Sequence, residues 1–274
     1  MKKYYVLFFF IFTVNTTVFS QFKFADADLI NQFLKTKTYI VLEDVLFSDF
    51  NTAIREVAEK HWKITPYEII DVATFEKLSK KSELSFLIVS IGEVTGLASS
   101  FSFNLLNLIM GHPSGDINKM KEIIIVPLSY YSEDDEEENY AYKLGGILNA
   151  FQYYILNYPG ENWKKWINEN KKELKNKELW LTSSDLVPHL TIEQIEEIYP
   201  YKVKIVSEKD IKNAVDEKLT HIAFMHKVGN NIHPYAMKLI ISCADGKLLS
   251  FHYHKITKNE PTGMSIKDFK LLIE

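Results

Sequence analysis

The amino-acid sequence predicts an α+β protein of two similar modules, each a mixed β-sheet flanked by helices in the order β-α-β-α-β plus a hairpin. Two observations lead to this prediction. The order strand, helix, strand, helix, strand occurs twice at similar spacing, over residues 37–93 and 177–229, which is typical of an internal duplication. The chain is also 46% hydrophobic and 14% aromatic, which favours a packed core over a disordered chain.

The first twenty residues have the pattern of an export signal. Two lysines precede an apolar run over residues 4–14, and Val18 and Ser20 lie at the −3 and −1 positions of a cut before Gln21. The run is shorter than the roughly 20 residues that cross a bilayer as a helix, although an uncleaved anchor is the alternative. We therefore predict a signal peptide over residues 1–20 and a periplasmic or secreted mature protein with no stable membrane span.

The first module is predicted over residues 21–160. Its strands are expected near 37–44, 63–71 and 83–93, and the third is apolar on both faces, as in the interior of a sheet. The segment "SDFNTAIREVAEKHW" has the apolar spacing of a helix, and "VATFEKLSK" predicts a shorter one. A strand pair joined by the turn "HPSGDINK" follows.

A long helix closes the first module. It is predicted in "YAYKLGGILNAFQYYILNY", where Gly145 and Gly146 would let another element approach closely. Two residues that break helices, Pro159 and Gly160, place the module boundary after it. The acidic run "SEDDEEEN" before the helix is interpreted as a solvated loop, since it lacks the spacing and glycine of a calcium loop.

The second module is predicted over residues 161–274. It begins with a lysine-rich helix, interpreted as a packing helix between the modules with a membrane-surface helix as the alternative. Three later helices should each open with a capping box, in which a Ser or Thr is followed three residues on by a Gln or Asp. These pairs are Thr191 with Gln194, Ser207 with Asp210, and Ser265 with Asp268. A β-hairpin is expected to turn at Asp245-Gly246.

Charge and cysteine content narrow the class of protein. The formal charge of −4 becomes −6 when the two lysines of the signal are removed, so we expect no nucleic-acid partner. The single cysteine, Cys243, cannot form an internal disulfide and is predicted to be a small buried residue. No serine elbow, Walker loop or dinucleotide loop occurs in the sequence, so we predict no catalytic residues and no cofactor.

The strongest chemical candidate is the strand "FHYHKI". His252 and His254 should point to the same face about 7 Å apart, as zinc ligands often do. A third ligand could come from His226, and the predicted metal set is therefore His252, His254 and His226. His221, His233, Asp245 and Glu260 are further candidates. The structural alternative is a wet strand face for the first two residues and a hydrogen-bonded core or edge histidine for His226.

Most of the mature chain resembles a family of uncharacterised, exported α/β proteins of bacterial envelopes. The resemblance lies in "KTYIVLED…ITPYEIIDVATFEKL…SFLIVS" and "IYPYKVKIV…AFMHKVG…ADGKLLSFHYHKI". The order of elements around "WKITPYEII" is also similar to the anticodon-binding-like modules of periplasmic secretion and transport machinery. These resemblances imply a fold and a location, and they imply no activity or site residue.

Two functional hypotheses follow from the sequence. The first is a non-catalytic, exported envelope protein that binds a protein partner or a cell-surface ligand through the edge of a sheet. The second is a metal-dependent hydrolase built around His252 and His254. We favour the first because the sequence contains no assembled catalytic set.

Overall fold

The structure is a computed structural model that describes residues 11–14, 25–46, 48–94, 101–131, 139–160, 162–230 and 233–274. The chain divides into two compact units, Met1–Asp44 with Pro66–Glu137 and Val45–Thr65 with Glu138–Glu274. Both units combine helices with a mixed sheet, so the predicted α+β class is confirmed. The predicted signal peptide lies outside the described residues except for Ile11–Val14.

The sheet of the first unit has the strand order β3-β2-β4-β5-β6, with β1 beside β4. The strands are β1 (Ile11–Val14), β2 (Thr38–Val41), β3 (Tyr67–Ile70), β4 (Ser85–Val94), β5 (Phe101–Met110) and β6 (Glu122–Tyr131). Strand β2 is parallel to β3 and β4, whereas β4, β5 and β6 form an antiparallel meander. The helices of this unit are α1 (Ala27–Phe33) and α3 (Val72–Leu78).

The core of the first unit lies between α3 and one face of the sheet. Phe75 of α3 packs edge-on against Phe86 of β4, with ring centroids 5.0 Å apart. Val41, Ile88 and Ile109 are buried in the same cluster. Helix α3 begins where Asp71 accepts a hydrogen bond from the backbone N–H of Thr74, which satisfies a free amide of the first turn. The apolar pattern of strand 83–93 thus reflects its interior position in the sheet.

The second unit repeats the topology of the first. Its strands are β7 (Glu178–Leu181), β8 (Val203–Ile205), β9 (Ile222–Val228), β10 (Tyr235–Ser242) and β11 (Leu248–Lys255), in the order β8-β7-β9-β10-β11. Strand β7 is parallel to β8 and β9, and β9, β10 and β11 are antiparallel. Apart from β1 beside β4, each described strand thus has the same neighbours and directions as its counterpart in β2–β6, which confirms the prediction of two similar modules.

The second unit contains the remaining helices. These are α2 (Asp49–His61), α4 (Leu144–Asn157), α5 (Trp163–Lys171), α6 (Ile192–Glu196), α7 (Glu208–Asp216) and α8 (Ile266–Ile273). The three predicted capping boxes form at the starts of α6, α7 and α8. None of the helices in the described residues is long and apolar enough to cross a membrane.

The division of the chain differs from the predicted boundary at residue 160. Helix α2 belongs to the second unit because it packs on α4, where the Gln152 side-chain amide donates to the His61 carbonyl oxygen at 2.8 Å. The predicted close approach at the paired glycines occurs in this unit. A Cβ on Gly145 would lie 2.8 Å from His61 Nε2, and one on Gly146 would lie 2.3 Å from Phe224. Apolar periodicity identifies the buried face of a helix, but it does not identify the element against which that face packs.

Candidate functional site

His252 and His254 lie side by side on β11, as the sequence predicts. They are two residues apart in a strand and therefore point to the same face of the sheet. Their imidazole ring centroids are 4.7 Å apart. The neighbouring strand β10 places Lys238 opposite His252 and Ala236 opposite His254. The first two members of the predicted metal set are thus brought together.

The third predicted ligand, His226, is on the opposite face of the same sheet. His226 pairs with Leu239, whereas Lys227 pairs with Lys238, which in turn pairs with His252. Because successive side chains of a strand point to opposite faces, His226 points away from the histidine pair. The metal set His252, His254 and His226 is therefore wrong. The sequence does not reveal this, because the face of β9 is decided by its register against β10.

A carboxylate from a different element completes the cluster. The ligand atoms of His252, His254 and Asp268 all lie within 4.8 Å of one another. Asp268 is in the first turn of α8, where its Oδ2 accepts hydrogen bonds from the backbone N–H and the hydroxyl of Ser265, both at 2.8 Å. The capping box was predicted from the sequence, but its place against β11 was not. Because Oδ2 of Asp268 is used in the cap, its Oδ1 faces the sheet, where Lys238 of β10 donates to it.

Lys238 provides the opposite charge to Asp268. Its ammonium group donates to Asp268 Oδ1 at 2.9 Å and to the carbonyl oxygens of Pro261 and Gly263 at 3.1 and 2.9 Å. Burial lowers the pKa of Lys238, an effect that the charge of Asp268 opposes. Burial would raise the pKa of Asp268, but the hydrogen bond to His252 and the charge of Lys238 hold it well below its usual range. Asp268 is therefore an anion at neutral pH.

His254 is held as a neutral imidazole with one nitrogen free. Its Nδ1 lies 3.1 Å from the carbonyl oxygen of Lys255, which can only accept, so Nδ1 carries the proton. Its Nε2 is then an acceptor, and it is buried with no hydrogen-bond partner in the described part of the chain. Burial lowers the pKa of this imidazole, so it stays neutral near pH 7. His252 is more exposed, and its Nδ1 lies 3.3 Å from Asp268 Oδ1.

Asp268 belongs both to an ion pair with Lys238 and to a candidate set of metal ligands with His252 and His254. Asp268 already caps α8 and neutralises Lys238, which accounts for its burial without any catalytic role. Two imidazoles and a carboxylate are also the donor types of protein zinc sites. A carboxylate bound to an ammonium group accepts a proton poorly, so Asp268 is a weak general base in this arrangement.

A second feature is the edge of β4. Strand β2 pairs only with Ser85–Leu87, although β4 continues to Val94. In the described residues, the strand beside the far half of this edge is β1, whose Ile11–Val14 pair in parallel with Ile91–Val94. The Ser85 amide donates to the Lys37 carbonyl on this side of β4. Since amides alternate along a strand, the N–H groups of Ile91 and Glu93 point to the same side.

The other sequence candidates lie elsewhere. His221 precedes β9 and is exposed, and His233 lies before β10 with its Nδ1 2.5 Å from Asn230 Oδ1. Glu260 pairs with Lys267 at the surface, and Asp245 accepts from the Lys247 amide in the hairpin turn. Residues 132–138, most of the acidic run, lie outside the described residues. None of these described side chains belongs to the ligand cluster, although the charge of Glu260 acts on His252, His254 and Lys238.

The lysine-rich helix packs within the second unit. Trp163 of α5 contacts Phe251 of β11 edge-on at 5.6 Å, and the Asn170 side-chain amide donates to the Leu248 carbonyl at 3.1 Å. The helix therefore packs on β11, which agrees with its interpretation as a packing helix but places it inside one unit.

Comparison with known proteins leaves the chain without an assigned family. No protein-family model matches it, and none of the curated proteins searched is similar to it. The resemblance to exported envelope proteins therefore stays a prediction.

Proposed function

We propose that the mature protein is a non-catalytic, exported binding protein that takes up an extended segment of a partner protein as an added strand on the edge of β4. The observation that carries this proposal is the unequal length of neighbouring strands. Strand β4 has ten residues, and β2 covers only the first three of them. The remaining edge offers backbone N–H and C=O groups to an incoming strand.

The position of β1 supports this assignment. Ile11–Val14 belong to the predicted signal peptide, and they are paired with Ile91–Val94. A cut before Gln21 would remove β1 and leave the Ile91 and Glu93 amides to water or to another strand. Unpaired edges of this kind are the sites of β-strand addition in other binding proteins. The partner strand is expected to be apolar and to run parallel to β4, as "IFTV" does.

The histidine cluster supports a non-catalytic function. The carboxylate of Asp268 accepts hydrogen bonds from the buried Lys238 ammonium group and from the Ser265 backbone at the start of α8, so it already stabilises the fold. The hydrolase hypothesis would need Asp268 or His254 to exchange protons with a substrate. Protonation of Asp268 would leave the buried Lys238 ammonium group without its counter-ion, which is costly.

The proposed binding can be measured with the mature chain, residues 21–274, and a fluorescent peptide of residues 8–17 carrying C-terminal lysines for solubility. We expect saturable binding by fluorescence anisotropy. Glu93→Pro removes an edge amide and should weaken binding at least tenfold, whereas Glu93→Ala keeps the amide and should bind normally. Ile69→Pro removes an outward-facing amide from β3, which lies at the edge of the sheet. It serves as the matched control and should bind the peptide normally. A folded mature chain that does not bind the peptide, or a Glu93→Pro variant that binds it normally, would refute the proposal.

Export is tested separately by expressing the full-length chain in a bacterium with an outer membrane. We expect the protein in the periplasm or medium, with an intact mass that starts at Gln21. Recovery of the uncut 31.9-kDa chain from the cytoplasm would contradict the predicted location.

A further inference from the structure

We infer that His252, His254 and Asp268 form a binding site for a divalent transition metal of the Zn²⁺ class. This site lies in the second unit, whereas the proposed strand-binding edge lies in the first. It therefore goes beyond the proposed function and does not depend on it. The inference replaces the histidine set that the sequence predicts with one that the fold assembles.

The first argument is the donor set. Two imidazole nitrogens and one carboxylate oxygen lie within 4.8 Å of one another. Ligand atoms about 2.1 Å from a tetrahedral zinc ion are about 3.4 Å apart, so the widest separation in the site must contract by up to about 1.4 Å. His252 is partly exposed and can make this movement, while His254 and Asp268 are buried.

The second argument is the state of His254. Its side chain is nine-tenths buried, with 8% of the residue exposed, and none of the described residues provides a hydrogen-bond partner for its Nε2. Burying a hydrogen-bond acceptor without a partner costs free energy, so this nitrogen indicates that a ligand binds at the position. The other nitrogen donates to the Lys255 carbonyl. Metal-binding histidines are held in the same way, since a backbone carbonyl on one nitrogen leaves the other free to bind the ion.

The third argument concerns charge and access. Asp268 Oδ1 has two lone pairs, so it can bind a metal in place of the hydrogen bond with His252 while it continues to accept from Lys238. The ammonium group lowers the affinity because it repels the cation, and we expect a moderate affinity in consequence. The partly exposed side of His252 provides an entry path for the ion, and water would serve as the fourth ligand of a tetrahedral ion.

The experiment uses the mature chain freed of metal with a chelator. Zn²⁺ is titrated in competition with a chromophoric chelator, and bound metal is counted by elemental analysis. We expect one Zn²⁺ per chain, with His252→Ala and His254→Ala each lowering the affinity at least tenfold. His221→Ala removes an exposed histidine outside the cluster and should leave the affinity unchanged. Co²⁺ bound at the site should show visible absorption that His254→Ala abolishes.

Thermal unfolding separates loss of binding from loss of folding. Excess Zn²⁺ should raise the Tm of the unchanged chain and of His221→Ala, but not that of a folded His254→Ala variant. The inference is overturned if the folded chain binds no stoichiometric Zn²⁺. It is also overturned if His254→Ala binds Zn²⁺ as tightly as the unchanged chain, since the free nitrogen would then have no part in the site.

Discussion

The ammonium group of Lys238 lies 2.9 Å from Oδ1 of Asp268, and both side chains are buried. This ion pair joins the middle of β10 to the first turn of α8. The hydrogen bonds that Lys238 also makes to two backbone carbonyls leave its ammonium group fully paired. The capping carboxylate of one helix is thus also the counter-ion of the sheet on which that helix packs.

We expect Lys238→Met to lower the free energy of unfolding by about 3–5 kcal/mol, because it leaves a buried carboxylate without its counter-ion. Urea unfolding of the protein measures this loss. Lys267→Met breaks an exposed pair with Glu260 near the same helix and should cost less than about 1 kcal/mol. Equal losses in the two variants would show that burial does not decide the strength of these pairs.

Asp216 should contribute to stability in a pH-dependent way. Burial would raise its pKa, but hydrogen bonds from Lys212, Lys60 and His61 hold it well below its usual range. Because the pKa of Asp216 is lower in the folded state, its ionised carboxylate adds to the free energy of unfolding. This contribution is present in full at pH values above the pKa of about 4 in the unfolded state. This stability is lost as the pH falls through the folded pKa.

The measurement compares Asp216→Asn with the unchanged chain. At neutral pH the free energy of unfolding of the variant should be about 1–3 kcal/mol lower than that of the unchanged chain. The difference should shrink as the pH is lowered below about 4, because Asp216 then takes up a proton in the unfolded state while the folded state keeps it ionised, which lowers the stability of the unchanged chain. A difference that stays constant between pH 7 and pH 2 would contradict the predicted linkage.

Gly246 should tolerate substitution less well than Gly160. Both have positive φ, +80° and +77°, so alanine is strained at each. A Cβ at Gly246 would lie 2.1 Å from the backbone carbonyl carbon of Asn149 in α4, whereas one at Gly160 would meet none of the described residues within 4 Å. We expect Gly160→Ala to cost about 1–2 kcal/mol of unfolding free energy from strain alone. Gly246→Ala should lower the free energy of unfolding clearly more than Gly160→Ala does. Equal Tm values for the two variants would refute this prediction.

Cys243 should be unreactive in the folded protein. It is buried as a free thiol, and burial raises its pKa to about 12. Thiolate is the reactive species, so a thiol reagent at pH 8 should label the chain only after denaturation. Mass spectrometry before and after addition of urea tests this, and rapid labelling of the native chain would show that the thiol is accessible.

Local sequence patterns predicted much of this protein. The capping boxes, the hairpin at Asp245-Gly246 and the shared face of His252 and His254 depend on residues close together in the chain. The repeated order of elements also predicted two modules of the same topology. Hydrogen bonds within a turn and alternation along a strand are short-range effects, so the sequence alone determined these features.

Tertiary structure decided which residues meet. Asp268 completes the histidine cluster because α8 packs beside β11, and His226 is excluded because the register of β9 turns it to the other face. Helix α2 joins the second unit through its contact with α4. A single-residue shift in register would move every side chain of a strand to the opposite face. Register and helix packing follow from long-range burial, which no local pattern encodes.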